Sequence, residues 1–331
     1  MSARQASHAG SWYSSNKQEL SDQLDEWLSD VPSKTTPIGT ASSKQGELDI
    51  PSTGARAVIA PHAGYAYSGP AAAWAYKALD WSKANRIFLL GPSHHHYLSG
   101  CALTQCSTYK TPLGDLRIDT DTVQELHSKG KFDKMSRSVD EAEHSLEMHL
   151  PYIYKMLSLH LRNFSSPSDF PPLIPILVGA TLPKSERTYG ALLAPYLSDP
   201  TSIFILSSDF CHWGSRFHYT YYAPPNTPVQ RILRSTPPSS APKIYESIAH
   251  VDQQSMDAVE SGSHGKFVEE LDETGNTVCG RHPIGVFLAA VEELGLEEGK
   301  GRMRFVRYER SGDVVSVRDS SVSYCSAFAV F

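Results

Sequence analysis

Two short runs without a polar residue, Ala57-Val58-Ile59-Ala60 and Ile87-Phe88-Leu89-Leu90, flank a stretch that suits a helix over 70–79, with Pro70 in its first turn. Runs this short and this apolar are strands buried on both faces. Joining two of them through a helix makes them a parallel pair, since a parallel crossover needs about a dozen residues or more. Similar runs recur at 174–178 and 203–206, with a helix expected over 186–196 between them. The pattern predicts an α/β fold in one domain spanning 1–331, with a central, mostly parallel sheet flanked by helices.

The rest of the chain fits around that sheet. Leu20, Leu24, Trp27 and Leu28 share one face of a helix over 16–28, with Ser15 as its expected cap. The polar stretch 32–53 has no periodicity and reads as a surface insertion. Residues 108–118 read as short-stranded around a turn at 112–115. Asp119 or Thr120 can cap a helix containing Val123, Leu126 and His127, and a helical pattern over 140–157 must kink or divide at Pro151. Surface loops are expected at 165–172 and 235–242, helices over 244–259 and 283–294, and strands over 303–308 and 321–330, the last as an antiparallel edge.

The 30 basic and 36 acidic side chains leave a formal charge of −6, scattered along 331 residues, so no nucleic-acid footprint is present. The N-terminal segment lacks the apolar run of a signal peptide, and no stretch approaches the roughly 18 apolar residues of a membrane span. A soluble, cytoplasmic protein is expected, with the nucleus also open to it and the sequon at Asn163 unused. The cysteines (Cys101, Cys106, Cys211, Cys279, Cys325) are odd in number and form no CxxC pair, which predicts free thiols.

Ligands of parallel sheets gather at the carboxyl ends of the strands. Here those ends carry His62, then His94 to His96, then Asp209 and His212. His62, between Pro61 and the Ala63-Gly64 turn, is the leading metal-ligand candidate, and His94 is the member of its triplet nearest the strand. Asp209 either orients a ligating imidazole or serves as a base, and a helical turn starting there would aim His212 at the same pocket. His144, Glu147 and His149 lie on a helical stretch with one face available to line that pocket, either His144 with Glu147 or Glu143 with His149, although their spacing is not the HExxH of zinc proteases. Cys279 precedes a helix and Arg281. Both features lower a thiol pKa, making it a metal thiolate, a nucleophile or a redox-sensitive thiol. No GxGxxG, GxxxxGK[ST] or GxSxG motif is present.

Six blocks carry a specific resemblance: Ser11-Trp12-Tyr13, Ala60-Pro61-His62-Ala63-Gly64-Tyr65, Gly91-Pro92-Ser93-His94-His95, the run Ala142 to Pro151, Ser208 to Gly214, and Cys279-Gly280-Arg281-His282-Pro283-Ile284. In this order and along nearly the whole chain, they resemble the Memo family, mediators of ErbB2-driven cell motility. The resemblance implies a fold like that of class III extradiol dioxygenases and a pocket at His62, His94, His212 and Cys279, with Asp209 alongside. It also implies an iron or copper ion, a part in metal handling or motility signalling, and a signalling protein or peptide as partner.

Within that resemblance, His62, His94 and Cys279 stand as the metal ligands, with Asp209 and His212 as acid/base groups. A dioxygenase would carry a carboxylate where Cys279 stands. Three readings follow: a metal-dependent redox protein acting on O₂, a non-catalytic adaptor holding a peptide in the pocket, and an extradiol-type dioxygenase.

Overall fold

The structure is a computed structural model that describes residues 2–160, 166–226 and 235–331, so the sequon at Asn163 and the start of the 165–172 loop lie outside the described residues. At its centre is a nine-stranded sheet. In chain order its strands are β1 (Ala55–Ala60), β2 (Arg86–Pro92), β3 (Cys101–Leu103), β4 (Phe132–Lys134), β5 (Leu173–Val178), β6 (Ser202–Ser207), β7 (Asp209–Trp213), β8 (Met303–Arg310) and β9 (Ser321–Val330). They lie in the order β7, β9, β1, β6, β2, β5, β3, β4, with β8 also paired to β9. The middle four, β1, β6, β2 and β5, are mutually parallel, and antiparallel pairings begin on either side of them.

Each central strand is apolar throughout because both of its faces are covered. Val58, Ile87, Leu89, Ile203 and Ile205 pack on one face against α1 (Lys17–Asp30), α2 (Tyr65–Ala78) and the helix following residue 149. Ile59, Phe88, Leu90, Phe204 and Leu206 pack on the other, against α7 (Pro183–Ser198), α8 (Ile244–Glu260), α9 (His264–Thr274) and α10 (Arg281–Leu294). Adjacent residues point to opposite faces, as the two-residue period of a strand requires. The fold is therefore the expected α/β arrangement, a central sheet with a parallel middle between helical layers.

Several elements differ from their sequence-based expectation. Asn16, not Ser15, caps α1, its side chain accepting from the N–H groups of Gln18 and Glu19. The second helix begins at Tyr65 and keeps Pro70 inside it, because burial of Tyr65 and Ser68 extends the helix back to the strand end. The pattern over 140–157 divides at Glu143 into α4 (Arg137–Ala142) and α5 (His144–Glu147), and Pro151 then opens α6 (Leu150–Leu159). The stretch from Ser321 is no edge: β9 has β8 along one side and β1 and β7 along the other. Residues within 32–53 are pinned, the Ile38 N–H to Phe305 O and the Ser42 hydroxyl to Glu260. Between β2 and α4 lies α3 (Thr120–Ser128), capped by Asp119.

Among the described residues no helix is long and apolar enough to cross a membrane.

Candidate metal centre

Three neighbouring strands, β1, β6 and β2, end on the same edge of the sheet. His62 follows β1, Ser207-Ser208-Asp209 close β6 and open β7, and His94 follows β2. The loop before α10 brings Cys279 to the same place. Gly280 makes this approach possible: a Cβ there would lie 2.3 Å from Ser208 Cβ and 2.4 Å from Ser207 O. The Gly280 N–H instead donates to Ser208 Oγ at 3.0 Å.

Hydrogen bonds set the tautomer of each ring. The Ser207 hydroxyl spends its one proton on Ser145 O at 2.7 Å, so at 2.6 Å it must accept from His62 Nδ1. His62 Nε2 is left bare and faces Cys279 Sγ at 3.2 Å. Glu143, between α4 and α5, takes the His94 N–H at 2.6 Å and His94 Nδ1 at 2.8 Å. Burial works to raise the Glu143 carboxyl, but the hydrogen bonds from His94 outweigh it and hold the group below its ordinary range. An ionised carboxylate only accepts, so His94 also carries its proton on Nδ1. His212 Nδ1 meets two carbonyls, Phe210 O at 2.8 Å and Thr277 O at 3.2 Å, and reaches the same tautomer.

The donor atoms of His62, His94 and Cys279 lie within 4.8 Å of one another. An ion held at about 2.0 Å from nitrogen and about 2.3 Å from sulfur sets those atoms roughly 3.5 Å apart in tetrahedral geometry. The 3.2 Å between Cys279 Sγ and His62 Nε2 is close to that spacing. Burial first, then the imidazoles of His94 and His144, keeps His62 neutral well below the ordinary imidazole range. The Cys279 thiol is pushed well above its usual range by burial and the Asp209 carboxylate, opposite to the expectation from its helix terminus. Arg281 does not reverse this, because its guanidinium turns to Asp272 at 3.8 Å.

A second trio, His94, Glu143 and His144, also brings donor atoms within 4.8 Å. It makes a poor cage. The two rings are stacked at 4.4 Å with 21° between their planes, so their in-plane lone pairs run side by side instead of converging.

Asp209 and His212 reach the cleft by a route other than the helical turn expected. Both lie on β7, where three steps from Asp209 to His212 oppose two from Tyr324 to Val322. This bulge returns both side chains to one face of the strand. Asp209 Oδ1 accepts the His62 N–H at 2.9 Å, and burial raises the carboxyl above its ordinary value. Both residues, with His62, His94 and His144, line a cleft of about 590 Å³ whose outer wall includes Trp12, Tyr67, Arg216 and Phe217.

Glu147 and His149 lie outside that lining. Glu147 is buried on Arg4, His8 and Tyr13. His149 faces inward, its Nδ1 at 2.6 Å from Tyr76 OH. Sequence reasoning offered Glu143 only as an alternative lining residue beside His149, and did not assign Ser207, Thr277 or Trp12 a place in the site.

The chain matches the Memo-like protein family over residues 4–328. It is 44% identical over 323 residues to "Protein MEMO1" of Homo sapiens and to that of Mus musculus, covering 98% of this chain and 96% of each relative. "Protein memo-1 homolog" of Caenorhabditis elegans is 42% identical over 324 residues, covering 98% of this chain and 81% of the relative. Among solved structures, an uncharacterized protein of Escherichia coli K12 aligns over 82% of this chain and 99% of its own, at 10% identity and a TM-score of 0.39, and adds nothing to the fold described above. With nearly the full length matched on both sides, the chain belongs to the Memo-like protein family.

Proposed function

We propose that this protein binds an iron or copper ion on His62, His94 and Cys279 and presents it to the cleft for redox chemistry. The observation that carries the reading is the tautomer pattern. Ser207 and Glu143 hold both imidazoles in the Nδ1–H form, so that bare Nε2 atoms are available beside a thiol. Neutral imidazole and thiolate together suit copper and iron. Such an ion would supply one-electron chemistry toward O₂. Asp209 and His212 would hold and release protons at the cleft wall, and the aromatic rim would limit access of water. The five free cysteines fit a reducing cytoplasmic or nuclear setting, with a role in metal homeostasis or signalling.

The donor set argues against ring cleavage of the extradiol kind. The convergent third donor is a sulfur, while Asp209 Oδ1 is engaged by the main-chain N–H of His62. A second reading, an adaptor that holds a peptide, draws support from the exposed rim, where Tyr67 is 60% and Trp12 36% accessible.

Metal analysis of protein purified without an affinity tag, with anomalous scattering to locate the ion, tests the first reading. One ion per chain is expected, with sharp loss in His62→Ala and Cys279→Ser. Wild-type affinity in both variants would refute it. Peptide binding that survives metal removal but fails when the cleft is blocked would favour the adaptor.

A further inference from the structure

Arg4 is fully buried and far in sequence from His62, His94 and Cys279. It sits on a short strand, Ala3–Arg4, paired in parallel with Thr108 and Tyr109. Its guanidinium fans out across the junction of α4 and α5. Nε donates to Asp140 O and to Asp140 Oδ1, each at 3.0 Å. Nη1 donates to Glu147 Oε2 at 2.7 Å and Gln5 O at 2.9 Å. Nη2 donates to Glu143 O at 2.9 Å. The Tyr109 ring lies 5.3 Å beneath it.

Glu143 is the single extended residue between two helices, with φ −86° and ψ 121°. The chain changes direction there, and Arg4 Nη2 holds the turning point by donating to its carbonyl. The same backbone angles aim its carboxylate at His94, where it accepts from the ring and from the main chain. We propose that Arg4 is a positioning residue for the metal centre: by holding the main chain at Glu143 it sets the carboxylate that keeps His94 in the Nδ1–H form with Nε2 free. The guanidinium is required for its geometry as well as its charge, because one planar group must reach Asp140, Glu143 O and Glu147 at once. The consequence for metal affinity rests on the proposed function; the consequence for the His94 tautomer does not.

Histidine ¹⁵N spectra of the metal-free protein read that tautomer directly. In Arg4→Lys, which keeps the charge without the fan of donors, His94 is expected to pass from one form to a mixture. His62, held by Ser207, keeps its wild-type shifts. Co(II) affinity, read from the thiolate charge-transfer band, is expected to fall about ten- to a hundredfold. If Arg4→Lys does not fold, the variant Arg4→Met/Asp140→Asn/Glu147→Gln, which leaves none of these buried charges unpaired, takes its place with the same readouts. An unchanged His94 tautomer in a folded variant overturns the proposal. A shifted tautomer in a protein whose wild type takes up no Co(II) upholds the role of Arg4 and removes the metal reading instead.

Discussion

A neutral imidazole has one lone pair to give, and its ring partner decides which nitrogen carries it. Ser207 is the clearest case, because its only proton is committed to Ser145 O. Ser207→Ala would leave His62 Nδ1–H buried without an acceptor. The expected cost is about 1–3 kcal/mol in urea unfolding, with a ten- to hundredfold weaker metal affinity. Unchanged affinity would show that the tautomer of His62 is set elsewhere. Gly280→Ala tests the approach of the thiol. A Cβ 2.3 Å from Ser208 Cβ must push the loop away, at about 1–3 kcal/mol, and displace Cys279 from His62. Metal uptake equal to wild type would mean the loop yields without moving the sulfur. At this scale His62, His94 and Cys279 are legible in the sequence, since histidines after strands and a cysteine before a helix leave local marks. Glu143 as the partner of His94, 49 residues away, and Ser207 as the partner of His62, 145 away, leave none.

Elements were legible where one local pattern decides them, and less so where packing does. The four central strands announce themselves because burial on both faces demands continuous apolar runs. The bulge in β7 has no such signature: it shows only when its register against β9 is known, and without it Asp209 and His212 would face opposite sides of the strand. A missed helix, α9, enters through a buried clamp. Glu186 of α7 bridges His264 of α9 at 2.6 Å and His282 of α10 at 2.7 Å. Gly285 leaves the room, since a Cβ there would lie 2.5 Å from Glu186 Oε2. This clamp fixes the first turn of α10, directly after Cys279. Glu186→Ala would strand the buried His264 N–H and free His282, lowering stability by about 2 kcal/mol. Faster hydrogen exchange should then concentrate in the first turn of α10 and in α9. Uniform change across the chain would mean that the clamp is merely one more core contact.

For the whole molecule, the N-terminal segment is bound to the rest of the chain through buried charge, and this sets its response to acid. Glu147 accepts from Arg4, His8 and Tyr13. Burial tends to raise its carboxyl, yet these hydrogen bonds and the Arg4 charge bring it to about 2, against 4.5 for a free glutamate. A depressed carboxyl stabilises the fold fully above its unfolded value, and that contribution disappears as pH falls through the folded one. The window is therefore pH 4.5 down to 2, and the size is on the order of 3 kcal/mol. Asp140 opposes this, because burial holds its carboxyl above the ordinary value despite Arg4, so the net slope is shallower than Glu147 alone would give. Glu147→Gln should accordingly be less stable than wild type at neutral pH and lose less stability between pH 4.5 and 2, the two unfolding curves converging in acid. Urea titrations across that range decide the matter. Parallel curves would mean that Glu147 keeps an ordinary acidity in the folded chain and that other carboxylates govern how the protein fails in acid.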